Sequence, residues 1–110
     1  MTAGKLNKRI TLRRASYHDD GFSSQGQETW SVLATVWAEA TPLRDAEKLA
    51  AGQVMATVSY RFRIRASSQV ADLSPADRLL FKGREFEISG VKCAGDRDEY
   101  LEISATAEAS

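Results

Sequence analysis

Three arginines at alternate positions, Arg61, Arg63 and Arg65, interleave with Val58, Tyr60, Phe62 and Ile64. Successive side chains of a strand point to opposite faces, so this spacing predicts a half-buried strand with its arginines in one outward row. Like charges on one face repel. The row therefore needs a negative counterpart: another subunit, a phosphate backbone, or acidic residues on a neighbouring strand.

The other reactive side chains build no catalytic centre. The sole histidine, His18, stands beside Asp19 and Asp20 in a glycine-containing stretch. Adjacent residues rarely converge on one metal, and no second cluster supplies the missing ligands. Cys93 has no histidine partner in a nucleophile pattern, so a buried or inert thiol is expected. Glu85 and Glu87 share one strand face opposite Phe86 and Ile88, which reads as a solvated or interface face rather than an acid–base pair. No phosphate-cradling glycine loop or nucleotide fingerprint is present. The expectation is no catalytic residue, no metal and no cofactor.

The chain has 110 residues, the size of one domain spanning 1–110. Hydrophobic residues make up 43% and charged residues 27%, the balance of a soluble globular protein. Fifteen basic and fifteen acidic residues cancel, which argues against binding of free nucleic acid by bulk charge. The signs are segregated. Lys5, Lys8, Arg9, Arg13 and Arg14 open the chain without an acid, whereas Asp96, Asp98, Glu99, Glu102 and Glu108 close it against Arg97 alone. The two ends pair either inside one fold or head to tail between subunits. With one cysteine no intrachain disulfide can form, no apolar run reaches the ~20 residues of a membrane span, and Met1 to Arg14 lacks a signal-peptide apolar region. A cytoplasmic protein with no membrane partner is expected.

The elements that position these residues read as strands. Residues 1–7 are expected to form an arm. Lys8 to Arg14 is a strand with Ile10 and Leu12 inward, Ala15 to Gln27 a long loop, and Glu28 to Leu33 an irregular approach. Ala34 to Leu43 is a strand with Val36, Ala38 and Ala40 on one face and Trp37 on the other, ended or bulged at Pro42. Arg44 to Ala51 is the one helical candidate, closed by Gly52, or else a loop ordered by a partner. Gln53 to Ala66 is the arginine strand and Ser67 to Ala76 a loop. Arg78 to Phe81 and Arg84 to Gly90 form a hairpin about Lys82-Gly83. Lys92 to Glu99 is a polar turn region, and Tyr100 to Ala107 a last strand with Leu101, Ile103, Ala105 and Ala107 alternating. About six strands, long loops and at most one short helix predict an all-β barrel or sandwich.

Two surfaces follow. Trp37 faces outward, either as an interface residue or as cover for a small edge of its own core. Tyr60 and Phe62 fall on the face opposite the arginines, which fits a core with a charged exterior better than a base-stacking platform.

The order and spacing of several segments carry a resemblance over nearly the whole chain. They are Gly4-Lys5-Leu6 leading into Arg9-Ile10-Thr11-Leu12, Glu28-Thr29-Trp30, Ala34-Thr35-Val36-Trp37-Ala38-Glu39, Thr41-Pro42-Leu43, Tyr60-Arg61-Phe62-Arg63-Ile64-Arg65, and Phe81-Lys82-Gly83-Arg84-Glu85-Phe86-Glu87-Ile88. With them the chain resembles the phage head–tail joining proteins, the head-closure or stopper proteins of siphophages and related gene transfer agents. The resemblance implies a small β-barrel without enzymatic activity that forms a ring. The ring would lie below portal and adaptor, close the exit of packaged double-stranded DNA, and dock a tail terminator or tail tube protein. It implies assembly in the cytoplasm and residence in the neck of the particle.

The resemblance also places a channel loop between the second and third main strands. By order along the chain that segment is Leu43 to Val54, with Leu43, Arg44, Asp45, Ala46, Glu47, Lys48, Leu49, Ala50, Ala51 and Gly52 as its gating residues. Its mixed charge would grip DNA weakly, which suits a gate that must release it. Trp37, Arg61, Arg63 and Arg65 are the expected subunit or partner contacts. The alternative is a nucleic-acid-binding small β-barrel, and an enzyme subunit ranks last.

Overall fold

A computed structural model describes residues 5–18, 27–43, 46–50 and 53–108 of the chain. Seven strands follow in order: β1 (Lys8–His18), β2 (Gln27–Pro42), β3 (Ala46–Ala50), β4 (Gln53–Arg65), β5 (Arg78–Phe81), β6 (Arg84–Ala94) and β7 (Tyr100–Glu108). A 3-10 turn, Ser68–Val70, lies between β4 and β5.

Six strands close on themselves. The sheet runs β2-β1-β5-β6-β7-β4, and β4 returns to β2 through Ala38↔Ile64 to Pro42↔Tyr60. Closure removes the exposed edges that an open sheet would offer. The fold class read from the sequence, an all-β barrel, is the one observed.

The expected inward positions build the core. Ile10, Leu12, Ala38, Phe62, Ile64, Phe86, Ile88, Leu101, Ile103, Ala105 and Ala107 are buried, with Val36, Ala40 and Tyr60 packed against them. At its centre the rings of Phe62 and Phe81 meet edge-on at 5.1 Å, and Tyr60 stacks on Phe62 at 5.5 Å. Emptying such an aromatic site costs about 3–5 kcal/mol. Between β5 and β6, Lys82 (φ 53°) and Gly83 (φ 75°) both adopt the left-handed conformation of a two-residue hairpin turn.

Two bulges explain where alternation fails. Leu12 faces Ala34 but Arg13 faces Val32, which leaves Leu33 as the extra residue of β2. Ile88 faces Ala105 but Gly90 faces Ser104, so Ser89 is extra in β6. Each extra residue inverts the side-chain parity beyond it. Val91 thereby packs on the core, and β6 continues past the Gly90 expected as its end, to Ala94.

Several boundaries differ from the sequence reading. Backbone pairing of β1 with β2 runs out to His18↔Gln27, so Ala15–His18 and Gln27 of the expected loop and Glu28–Val32 of the expected approach are ladder. The helical candidate is overturned: Ala46–Ala50 is strand β3, paired antiparallel with Gln53–Thr57. An isolated helix this short is marginal, whereas a hairpin on the long β4 gains a ladder at once. Leu6, expected in a free arm, is buried. The Ser67–Ala76 segment is a loop, yet it drives Val70 and Leu73 into the core.

Candidate functional site

The arginine row stands on the barrel exterior as expected, and its counterpart lies inside the same barrel. Arg63 sits opposite Glu102 on β7 in the antiparallel register. Arg63 Nη2 donates to Glu102 Oε2 at 3.0 Å, and Arg61 Nε lies 3.4 Å from Oε1. Lys92 Nζ approaches the same Oε1 at 3.2 Å from the far side. The Arg63 hydrogen bond, supported by Lys92 and Arg61, holds the Glu102 carboxyl below its ordinary range despite some desolvation. Glu102 is only 8% exposed, and the burial that opposes its ionisation is outweighed by the Arg63 hydrogen bond with the added attraction of Lys92 and Arg61.

On the other flank of Arg63 stands Glu39, whose Oε2 is buried without a hydrogen-bond partner. Arg65 is exposed and makes no ion pair among the described residues.

Trp37 is 54% exposed, in the outward orientation read from its phase with Val36 and Ala38. Arg9, its register partner on β1, places its guanidinium 4.7 Å from the ring centroid. Such a contact contributes about 0.5–1 kcal/mol at an exposed site. Beyond the Ala38↔Ile64 pair, β2 and β4 part. An open groove of about 690 Å³ lies in the gap, lined by Leu6, Val36 and Trp37 and edged by Arg9 and Arg65. The structure brings Trp37 and Arg65 to one groove, and leaves Arg61 and Arg63 with Glu102.

The expected channel segment begins where β2 ends at Pro42, and the Leu43 amide donates to the Ser59 carbonyl at 2.9 Å. Ala46, Glu47, Lys48, Leu49 and Ala50 form β3. Arg44, Asp45, Ala51 and Gly52 lie outside the described residues. The partner edge of β4 is its amino-terminal part; β7 reaches only Thr57, through Glu108. Residues 46–50 and 53–56 therefore form a two-stranded ribbon beyond the closed barrel.

One functional cluster was missed from sequence. Arg14 donates to both carboxylate oxygens of Asp77, at 2.9 and 3.0 Å, and to both of Asp72, at 3.1 and 3.2 Å. Asp77 is buried and also accepts the Ser74 amide at 3.1 Å. The clamp ties β1 to the loop that closes one barrel end. It raises the Arg14 pKa further and lowers that of Asp72, in each case chiefly through these hydrogen bonds. The readable signal was Ser74-Pro75-Ala76-Asp77, a turn whose side chains bond its own amides.

Among the described residues no group of three or more His, Cys, Asp or Glu side chains is placed to hold a metal. His18 ends β1, while Asp19 and Asp20 lie outside the described residues. Cys93 is exposed, not buried as one expectation had it. Glu85 pairs with Arg13 and Arg78 on the exterior, an ion-pair role. No described helix is long and apolar enough to cross a membrane.

Comparison with known proteins adds four findings. A chain in the virion of a native gene transfer agent particle superposes with a TM-score of 0.74 at 26% identity, covering 94% of each chain. A Shigella flexneri 2a protein of known solution structure superposes with a TM-score of 0.67 at 25% identity, covering 96% of this chain and 95% of its own. No curated protein matches. The family model described as phage head completion protein matches residues 1–108. The chain belongs to the phage head completion protein family, and is a structural protein of the head–tail region of a particle.

Proposed function

We propose that the chain is a non-enzymatic connector whose copies form a ring in the neck of a phage or gene-transfer-agent particle. The ring lies below portal and adaptor, closes the DNA exit and docks the tail tube or its terminator. The observation that carries this reading is family membership over residues 1–108 together with near full-length likeness to a chain of a gene transfer agent virion. Assembly in the cytoplasm and double-stranded DNA as the passing cargo belong to the same reading.

The ribbon of β3 and the start of β4 is the channel element in this account. It leaves the barrel between Pro42 and Thr57, and among the described residues it pairs only with itself. A two-stranded ribbon is marginal alone, so it can shift at low energetic cost, as a gate requires. The nucleic-acid-binding alternative is less well supported, because Tyr60 and Phe62 stack with the core rather than on an exposed platform beside the arginines.

The test is deletion of Asp45 to Ala51, bridged by a short glycine linker. Filled heads carrying the variant should lose DNA before tail attachment. Heads that hold DNA as well as the parent would refute the gating role.

A further inference from the structure

We propose that the outer edge of β2 over residues 31–37 is a strand-addition site. It takes an extended segment of another protein of the particle, with apolar side chains at alternate positions and one carboxylate between Arg9 and Arg65. The inference rests on the particle reading above only for the source of that segment; among the described residues the edge itself is open in a single copy.

One edge of β2 is paired with β1 from Lys8↔Ala38 to His18↔Gln27. The other is paired with β4 only from Ala38↔Ile64 to Pro42↔Tyr60. Along residues 31–37 this second edge has no strand beside it, and among the described residues no loop amide or carbonyl bonds to it. Such an edge offers backbone donors and acceptors to an incoming strand. Edges that face only solvent are commonly blunted by charge or proline. This one reads Ser31-Val32-Leu33-Ala34-Thr35-Val36-Trp37 and carries neither.

The outer face along this edge is apolar. Val32 (62% exposed) and Trp37 (54%) are the exposed large hydrophobic side chains among the described residues, and both stand on it. Five positions apart, they would face opposite sides of a regular strand; the extra residue Leu33 turns both outward. A strand laid along the edge sets every second side chain on this same face, against Val32 and Trp37. Trp37 also walls the groove floored by Leu6 and Val36, and Arg9 covers its ring. Tryptophan and arginine are the residues most enriched where interfaces derive their energy.

Charge selects the occupant. Arg9 and Arg65 edge the groove, and neither makes an ion pair among the described residues. A carboxylate set between them would satisfy both. The acidic loop of residues 95–99 adjoins the Arg65 end, where the Ala66 amide donates to the Glu99 carbonyl at 2.8 Å. Its carboxylates do not line the groove, but they stand close enough to repel an acidic run, so the complement is one carboxylate among apolar side chains. A second copy joined edge to edge through residues 31–37 would bring none, because that run has no acid.

The test uses the full-length chain, first in solution and then in particles. The solution probe is a capped peptide of alternating valine and threonine with one central glutamate. At saturation it should slow hydrogen exchange about tenfold or more at those amides of residues 31–37 that point away from β1. Proline beside the glutamate removes a backbone donor and should abolish the effect, and lysine in place of the glutamate should weaken binding about tenfold. Val32→Lys should weaken it similarly while melting stays unchanged. In assembled particles, a photo-crosslinking side chain at position 32 should join the chain to an alternating, carboxylate-bearing segment of a different particle protein, identified by sequencing the crosslinked peptide. No protection by the parent peptide, or equal protection by the proline peptide, would overturn strand addition. A crosslink to a second copy, or within the same chain, would overturn the occupant. Peptide binding needs only one copy, so its result stands apart from whether copies form a ring.

Discussion

Arg63 on β4 and Glu102 on β7 stand directly opposite each other, 3.0 Å apart, with Arg61 and Lys92 on the same carboxylate. The arginine row that dominates the sequence is therefore mostly spent inside its own barrel. Only Arg65 leaves the row for the groove beside Trp37.

Glu102→Gln removes the charge that three cations share, and should cost about 1–2 kcal/mol at neutral pH. The folded-state pKa of Glu102 is lowered, so its contribution is complete above the ordinary glutamate range and fades as pH falls through the lowered folded value. Parent and variant should therefore converge in melting temperature on acidification. A gap that persists undiminished in acid would contradict the assignment.

Arg65→Glu alone should leave monomer stability within about 0.5 kcal/mol, because Arg65 is exposed and makes no ion pair among the described residues. Changing Arg61, Arg63 and Arg65 together to Glu should unfold or strongly destabilise the monomer, since two of the new carboxylates would surround Glu102. Thermal melts of the two variants separate these outcomes. Equal melts would show that Glu102 does not govern the row.

Trp37→Ala should change the melting temperature of the monomer little, because the side chain is more than half exposed. Particle assembly should fall more than monomer stability does. A loss of about 3–5 kcal/mol, the scale of an emptied aromatic core site, would place Trp37 in the core instead.

Arg14→Ala leaves the Asp77 carboxylate buried without its cation, and should cost about 3–5 kcal/mol. Protection of the 67–77 loop amides from hydrogen exchange should drop first, before the β4–β7 ladder is affected. A uniform loss across the barrel would show that the clamp is not local to that loop.

Much of the barrel was legible because strict alternation at Ile10–Leu12, Val36–Ala40, Val58–Ile64 and Leu101–Ala107 leaves one way to bury each strand. Alternation fails at Leu33 and Ser89, where an extra residue inverts parity, so β2 and β6 read as shorter than they are. Ala46–Ala50 misled for a different reason. Its alanines and leucine favour a helix locally, and only the length of β4 available for pairing decides for strand. The pairing of Arg63 with Glu102 and of Arg14 with Asp77 spans 39 and 63 residues, and such contacts follow from register that one sequence does not state. The expectation that the arginine row meets acids on a neighbouring strand was among those offered, and two of its three members do so.

The most direct test of the central claim is a reconstruction of the neck in intact particles. The account predicts a closed ring of this chain below the portal and adaptor, with the ribbon of residues 46–56 turned toward the channel axis and Trp37 against a neighbouring chain. A neck in which this chain is absent, or present as an isolated copy with residues 46–56 turned away from the channel, would contradict it.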